Sequence, residues 1–509
     1  MAEIWAAVLY PFVCPYRLAH EVFIQENSVL HEKWVKEYGS TIQYKGFFGV
    51  SFSGLEISKT KLKISKFRRL YTTDTKALNH VLMNTSVYQK PRAARHNLAR
   101  ILGEGVLVVE GEKHKQQNPA FGPSQIRELT EIFISKAIQL RDVWALENDQ
   151  QGGQSRIDAL SWLSRTTLDV IGLAGFNYKF DALSGDPKRN ELNAAFAIMF
   201  KAGTRLSLIP IIRTYIPFLS FLKTEQDVKA IEAKKTMMRI SHDLLRESKN
   251  SVDEKGEKRD LLTLLVNSNM ATDIPEHQRM SDQDVLAQIP TFLVAGHETT
   301  RYSGSVFFTD KDVQNKLRQE LLMIDTDNPT MEQLNALPYL DMVVRETLRV
   351  HCPVPSTIRI AVKDDVLPLG HPITDRKGVV HTSIKVTKGQ MLFVPILAIN
   401  RDKAIWGEDA AEFRPERWEH VPEAAANVPG VWGNMLTFLG GPRACIGYRF
   451  SLVETKALLF TLIRAFEFDL AVPAKDIIKK SSVVQRPVLT TDPEGNNQMP
   501  LLVRPVVRS

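Results

Sequence analysis

The segment Phe438-Leu439-Gly440-Gly441-Pro442-Arg443-Ala444-Cys445-Ile446-Gly447 constrains the chain more than any other stretch. Three glycines within eight residues describe a backbone that turns tightly and approaches something closely. A long helical pattern, Ile446 to Phe466, follows at once. Cys445 therefore stands at a helix entry, where free N–H groups and positive potential favour a thiolate. Arg443 adds a cation suited to a carboxylate. By itself a cysteine at a helix start is more often a small buried hydrophobe than a ligand, so local chemistry leaves both readings open.

The rest of the chain sets the fold class. Helical periodicity predicts helices over Ser124 to Glu147, Ala159 to Gly175, Glu225 to Ser248, Ser281 to Phe308, Lys311 to Leu322 and Met331 to Val350. Ser281 and Asp284 make a capping-box start for the fourth. Strand-like zones, rich in β-branched residues, cover roughly Ser40 to Tyr71, Val354 to Phe393 and Val483 to Val503. The charged stretch Ser248 to Asp260 reads as a solvated connection. No linker divides the 509 residues, and no repeat suggests a solenoid. The expectation is a mainly α fold with small β-sheets, organised as an N-terminal segment (1–30) and one large domain (31–509).

Three cysteines, Cys14, Cys352 and Cys445, cannot make a disulfide framework in a chain this long. The formal charge is +7 and the pI near 9.0. Basic residues are scattered, without a stripe interleaved with aromatics, which argues against nucleic acid as a partner. An anionic lipid surface or an acidic protein partner fits the charge better. The apolar run Ile4 to Cys14 falls short of the roughly 17–25 residues a spanning helix needs, and Pro11 and Pro15 interrupt it. Leu206 to Leu222 is broken by Pro210 and Pro217 and carries Arg213. Peripheral contact with a membrane surface is expected from both.

Phe438, Gly441, Arg443, Cys445 and Gly447 match every position of Phe-x-x-Gly-x-Arg-x-Cys-x-Gly. The chain thereby resembles the cytochrome P-450 superfamily, with eukaryotic microsomal and especially fungal members nearest. The resemblance implies haem b (iron protoporphyrin IX), buried between an oxygen-activating helix and the cysteine-loop helix, with Cys445 as the axial thiolate. It also implies that Arg443 lies near a propionate and that Phe438 packs beside the sulfur. Thiolate ligation favours O–O cleavage, the step an oxygenase needs.

Other segments carry the same resemblance. Ala295-Gly296-His297-Glu298-Thr299-Thr300 buries polar groups in mid-helix, which is costly without a use. It is similar to the family's oxygen-activation motif. There Glu298 and Thr299 would relay protons, Gly296 would leave room for oxygen beside the haem, and Ala295 would be a further cofactor-binding residue. His297 reads as a structural or pocket residue, not a metal ligand. Glu346 and Arg349 lie three apart on one helical face and match the family's Glu-x-x-Arg pair, which Arg417 of Pro415-Glu416-Arg417 completes as scaffold. Arg359 matches a second propionate-binding position.

The sequence departs from the family pattern in four places. His114-Lys115-Gln116-Gln117 runs straight into Asn118-Pro119-Ala120-Phe121, lacking about four residues, roughly one helical turn, and with them a propionate-binding arginine. A similar shortening follows Thr300, before Thr309-Asp310-Lys311. Val50 to Phe67 resembles an insertion, and the proline-rich hinge and membrane anchor of microsomal members are not found. The resemblance implies a monooxygenase acting on an apolar small molecule, with electrons from a separate NADPH-dependent reductase. The chain itself has no complete dinucleotide fingerprint. The implied location is the cytosolic face of the endoplasmic reticulum membrane. The alternative is a degenerate haem-binding member without efficient turnover. A reductase-independent isomerase or peroxide user fits less well, because Glu298 and Thr299 are both retained. Recognition loops are expected around Arg92 to Val108 and Phe200 to Leu222.

Overall fold

The structure is a computed structural model that describes residues 29–45, 55–58, 61–64, 68–116, 122–184, 191–192, 194–195, 198, 225–253, 260–270, 279–305, 310–375, 377–481 and 484–506. The expected N-terminal apolar run, the 200–222 loop, the junction at 117–121 and the shortened stretch at 306–309 lie outside the described residues.

Short helices and strands alternate first: α1 (Val29–Tyr38), β1 (Thr41–Lys45), β2 (Leu55–Ser58), β3 (Lys61–Ile64), β4 (Arg68–Thr72), α2 (Thr75–Met83), β5 (Tyr88–Gln89), α3 (Arg92–Leu102) and α4 (Gly111–Gln116). Within the stretch read as an insertion, β2 and β3 form an antiparallel hairpin. The helical body follows, with α5 (Pro123–Gln150), β6 (Ser155–Asp158), α6 (Ala159–Phe176), α7 (Glu225–Asp253), α8 (Leu261–Met270), α9 (Asp282–Ser305), α10 (Lys311–Leu321), α11 (Met331–Asn335) and α12 (Pro338–Val350). Strands β7 (Thr357–Ala361), β8 (Asp365–Thr374), β9 (Val380–Val386) and β10 (Met391–Val394) lead to the short helices α13 (Ile396–Asn400) and α14 (Lys403–Trp406). After the cysteine loop come α15 (Tyr448–Ala465), β11 (Phe466–Leu470), β12 (Ile477–Ser481), β13 (Gln485–Leu489) and β14 (Pro500–Pro505). The mainly α class with small sheets is what the periodicity predicts.

Local chemistry explains the boundaries. Proline opens both α5 and α12, where its missing N–H costs nothing and its fixed φ suits the helix. That proline also splits the single helix expected over Met331 to Val350: α11 has its own capping box, Thr330 with Gln333, and Pro338 starts α12 afresh. Helix α7 continues to Asp253, beyond the predicted end at Ser248. Ser281 and Asp284 cap α9 as expected, Ser281 Oγ donating to the Asp284 carboxylate at 2.7 Å. Asp74 caps α2 by accepting from Ala77 N at 2.9 Å.

Helix α5 buries Ile126, Leu129, Phe133, Ala137, Leu140 and Trp144, one face of a 3.6-residue repeat. That face meets α15, with Phe133 edge-on to Phe450 at 4.7 Å. Helix α6 is apolar nearly all round and buried between α5 and α9. One five-stranded sheet runs β1-β4-β10-β7-β5, its β4–β10 pair parallel and the rest antiparallel. A three-stranded sheet runs β11-β14-β6. Buried apolar residues from Leu70 to Val503 join into one core cluster.

Candidate active site around Cys445

The cysteine loop is fastened from beneath. Asn400 accepts from Leu436 N at 2.9 Å and donates to Thr437 Oγ1 at 2.8 Å, while Thr437 Oγ1 donates to Leu348 O at 2.7 Å. Cys445 N donates to Phe438 O at 2.8 Å, which closes the loop and sets Phe438 beside the cysteine. Phe438 is wedged between Trp432 and Tyr448. Gly441 has φ +72°, and a side chain there would bring Cβ to 2.7 Å from Leu82 O. The glycine is required on both grounds, left-handed backbone and close approach to α2. At Gly447 a Cβ would meet no protein atom within 4 Å.

The helix after the loop begins at Tyr448, not at Ile446, so Cys445 precedes it by three residues. The predicted lowering of the thiol pKa by the helix terminus is therefore corrected. Burial pushes the thiol up to about 11, and the Gly447 N–H pulls it down only in part. The side chain nonetheless keeps accessible surface. Protein crowds the sulfur without covering it.

Around the loop stands a cluster of cations that the sequence showed only in part. Arg443 donates to Tyr88 O at 2.8 Å and Thr85 O at 3.1 Å, and pairs with Glu110. Glu110 also accepts from Lys90 N at 2.8 Å. Arg359, on β7, donates to Thr357 Oγ1 and Ile358 O and is almost wholly buried. Burial, joined by the Arg443 charge, brings its pKa down to about 10. Burial likewise lowers Lys90 to about 8; Glu110 opposes this, and Arg359, Arg443 and Arg95 add to it. His114 is lowered to about 4, chiefly by burial and then by Lys90 and Arg443, and is neutral. Among the described residues, four cations (Lys90, Arg95, Arg359, Arg443) thus face one carboxylate, Glu110. Crowded positive charge in a dry site needs anions. An accessible thiol beside such a cluster fits haem, an iron macrocycle bearing two propionates.

Helix α9 supplies the opposite wall. Pro290 lies inside it and cannot donate to the preceding turn. His297 is structural, its Nε2 2.7 Å from Ser164 Oγ on α6. At Gly296 a Cβ would stand 3.1 Å from Ile171 Cδ1, so the glycine also allows the close packing of α9 on α6. Ala295 O accepts from Thr299 Oγ1 at 2.6 Å, a back-bond that stores the hydroxyl in the helix ladder. Glu298 is buried and paired with Arg486 of β13 at 2.6 Å. That partner is 188 residues away and carried no local signal. Thr300 Oγ1 lies 3.3 Å from Ser451 Oγ, tying α9 directly to the helix that follows Cys445.

The expected scaffold triad is present. Arg349 donates to both Glu346 oxygens at 2.8 and 2.7 Å, and Arg417 Nε reaches Glu346 at 3.4 Å. Trp418 Nε1 and Arg414 N also donate to Glu346, each at 3.0 Å. The lone pair that would be weak on a surface is here a fully buried network.

Comparison with known proteins agrees with this geometry. Residues 60–491 match the family profile of cytochrome P450. Cytochrome P450 monooxygenase 205 of Postia placenta is 52% identical over 503 residues, covering 95% of this chain and 90% of that protein. Cytochrome P450 monooxygenase 128 of the same fungus is 49% identical, covering 96% and 90%. The ganoderic acid synthetase of Ganoderma lucidum is 32% identical, covering 89% and 86%. With its thiol, its cation cluster and its acid–alcohol helix in place, the chain belongs to the cytochrome P450 family, the haem-thiolate monooxygenases.

Proposed function

We propose that this chain inserts one oxygen atom from O2 into an apolar organic substrate, reducing the other to water with electrons from a separate NADPH-dependent reductase. The observation that carries this reading is the accessible Cys445 thiol beside a cation cluster, with α9 bearing Glu298 and Thr299 joined to the same helix. Cys445 would ligate haem b, and Arg359 and Arg443 would hold its propionates. Haem so held would supply oxygen activation, which thiolate ligation favours. Thr299 and Glu298 hold and move the protons: a hydroxyl stored on Ala295 O and a carboxylate stored on Arg486. The apolar walls of α6 and α9 exclude water from that path.

Location at the cytosolic face of the endoplasmic reticulum membrane follows from the resemblance and the basic charge. Among the described residues no helix is long and apolar enough to cross a membrane.

The test is the ferrous–CO difference spectrum followed by NADPH consumption with a generic reductase. Cys445→Ala is expected to abolish the red-shifted Soret band, because thiolate ligation would produce it. Cys14→Ala and Cys352→Ala are expected to keep it. A band surviving in Cys445→Ala, or none in the parent, overturns the assignment.

A further inference from the structure

One short segment, residues 103–110, bridges the two walls of the site, α9 and the cysteine loop. Its first half lies on α9. Gly105 approaches so closely that a Cβ there would stand 2.2 Å from Thr291 Oγ1 and 2.5 Å from Ala287 O, a contact that only glycine makes. Next to it, Val106 N donates to Gln288 Oε1 at 3.2 Å. Gln288 is fully buried, and its Nε2 donates to Asp284 O at 3.0 Å, so its amide is held at both ends. The second half lies at the cysteine loop, where Glu110 pairs with Arg443 and Lys90 Nζ donates to Leu107 O at 2.7 Å. Between these anchors Val106, Val108 and Val109 are buried. Gly103 and Gly111, at φ +73° and +64°, flank the segment. The result is an apolar strap that closes one side of the space between the walls. Its hold on α9 runs through Gln288, because a buried N–H that loses its acceptor bears its full desolvation cost.

We propose that Gln288 is a specificity-determining residue, which seats the strap on α9 and thereby limits the bulk of the apolar molecules admitted between α9 and the cysteine loop. It acts through the strap, as a positioning residue. The proposal rests on the haem-thiolate reading above. The resemblance implies a recognition loop around residues 92–108, and the structure adds the α9 side chain that holds it closed.

Two measurements on the ferric holoprotein test this. One is amide hydrogen exchange of the strap. The other is the rate at which imidazole and the much bulkier clotrimazole bind, followed by the Soret shift that a nitrogen ligand produces. The variants are Gln288→Met, which keeps the length but neither hydrogen bond, and Gly105→Ala, which pushes the strap off the Ala287 carbonyl. Glu104→Ala, exposed on the strap, is the control. Gln288→Met and Gly105→Ala are expected to exchange, and to bind clotrimazole, about tenfold faster than the parent, the worth of one buried hydrogen bond. Imidazole should bind at the parent rate throughout, being small enough to pass the seated strap, and Glu104→Ala should match the parent in every measurement. General loosening would accelerate both ligands alike, and a glutamine that only stabilises the fold would alter exchange without altering the clotrimazole rate. Either outcome overturns the proposal, as does parent-like exchange in Gln288→Met. Should Gln288→Met fail to accumulate, Gly105→Ala decides by the same criteria. A parent that gives no Soret shift with imidazole sinks the haem-thiolate reading instead, while exchange still reports whether Gln288 seats the strap.

Discussion

Single side chains set the proton economy of α9. Thr299 donates to Ala295 O at 2.6 Å and must rotate away from the helix to face a substrate-side proton. Thr299→Ala is expected to keep haem and the substrate-induced spin change. Product formation should fall by on the order of 10²-fold, the usual worth of a positioned proton donor, while NADPH is still consumed and peroxide accumulates. Normal coupling of NADPH to product would remove α9 from the proton path. Glu298 starts from the opposite condition, a carboxylate neutralised by Arg486. A second buried acid, Glu454 of α15, has both oxygens buried without hydrogen bonds of good geometry. Burial holds its carboxyl well above the ordinary 4.5, with nearby Thr300 pulling weakly the other way. The folded protein therefore keeps a proton that the unfolded chain gives up near pH 4.5. Stability from this group is full below that value and is lost as pH rises toward the folded-state pKa. Glu454→Gln removes that slope. Its melting temperature should gain on the parent as pH rises above about 5, by about 1 °C per kcal/mol in a chain of this size. A constant difference across that range would mean that Glu454 is not buried as an acid.

Elements, not residues, decide how firmly Cys445 is presented. Helix α12 carries Glu346 and Arg349 beneath the loop, and Arg349 also donates to the carbonyls of Asn400, Ala410 and Glu412. Truncating it to methionine strands those carbonyls and leaves Glu346 short of its bidentate partner. The cost of breaking such a buried pair is about 3–5 kcal/mol. Arg349→Met should accordingly yield little CO-reactive protein and a lower denaturant midpoint; a parent-like midpoint would show that the network is dispensable. Helical spacing alone showed only a Glu346–Arg349 pair; the triad with Arg417 was legible because both short motifs resemble those of the family. The long helices were legible because their periodicity runs for many turns. Helices α2 and α3 were missed, being short and flanked by strands, although Asp74 before Ala77, Leu78 and Val81 marked the first of them. Met331 to Val350 looked continuous because the apolar repeat passes through Pro338 undisturbed. The partners of the site residues were illegible for a different reason. Arg486 reaches Glu298 from 188 residues away, and Tyr88 meets Arg443 across 355. Pairings of that kind exist only once the chain has closed. The helix after Cys445 starts two residues later than its apolar pattern suggested, and burial of the thiol, which raises its pKa, is set by packing that the sequence does not display.

At the scale of the whole molecule, closure depends on the last strand. Strand β14 lies in the middle of its sheet, between β11 and β6. Leu501 stands opposite both Leu470 and Ile157, and Val503 opposite Phe468 and Ser155. Both apolar side chains are fully buried. The surrounding backbone is also committed: Ala159 N donates to Met499 O at 2.9 Å, Ala471 N to Pro500 O at 3.1 Å, and Val506 N to Ala465 O at 2.9 Å. Strand β14 thus joins a segment near residue 155 to the strand that follows α15, a non-local pairing of the slow kind. Strand β6 leads directly into α6, whose Ser164 holds His297 of α9. The distal wall is in this way braced by the far end of the chain. Removing residues 500–509 gives up two buried aliphatic side chains at about 1.5–3 kcal/mol each and leaves β6 and β11 as new unpaired edges. Against a whole-protein stability of about 5–15 kcal/mol, that loss is decisive. The truncated chain is expected to aggregate without forming the thiolate CO band. A Leu501→Ala, Val503→Ala double variant, with its backbone ladder intact, should fold with haem but melt lower. A truncated chain that stays soluble, binds haem and melts with the parent would show that α6 and α9 assemble without β14.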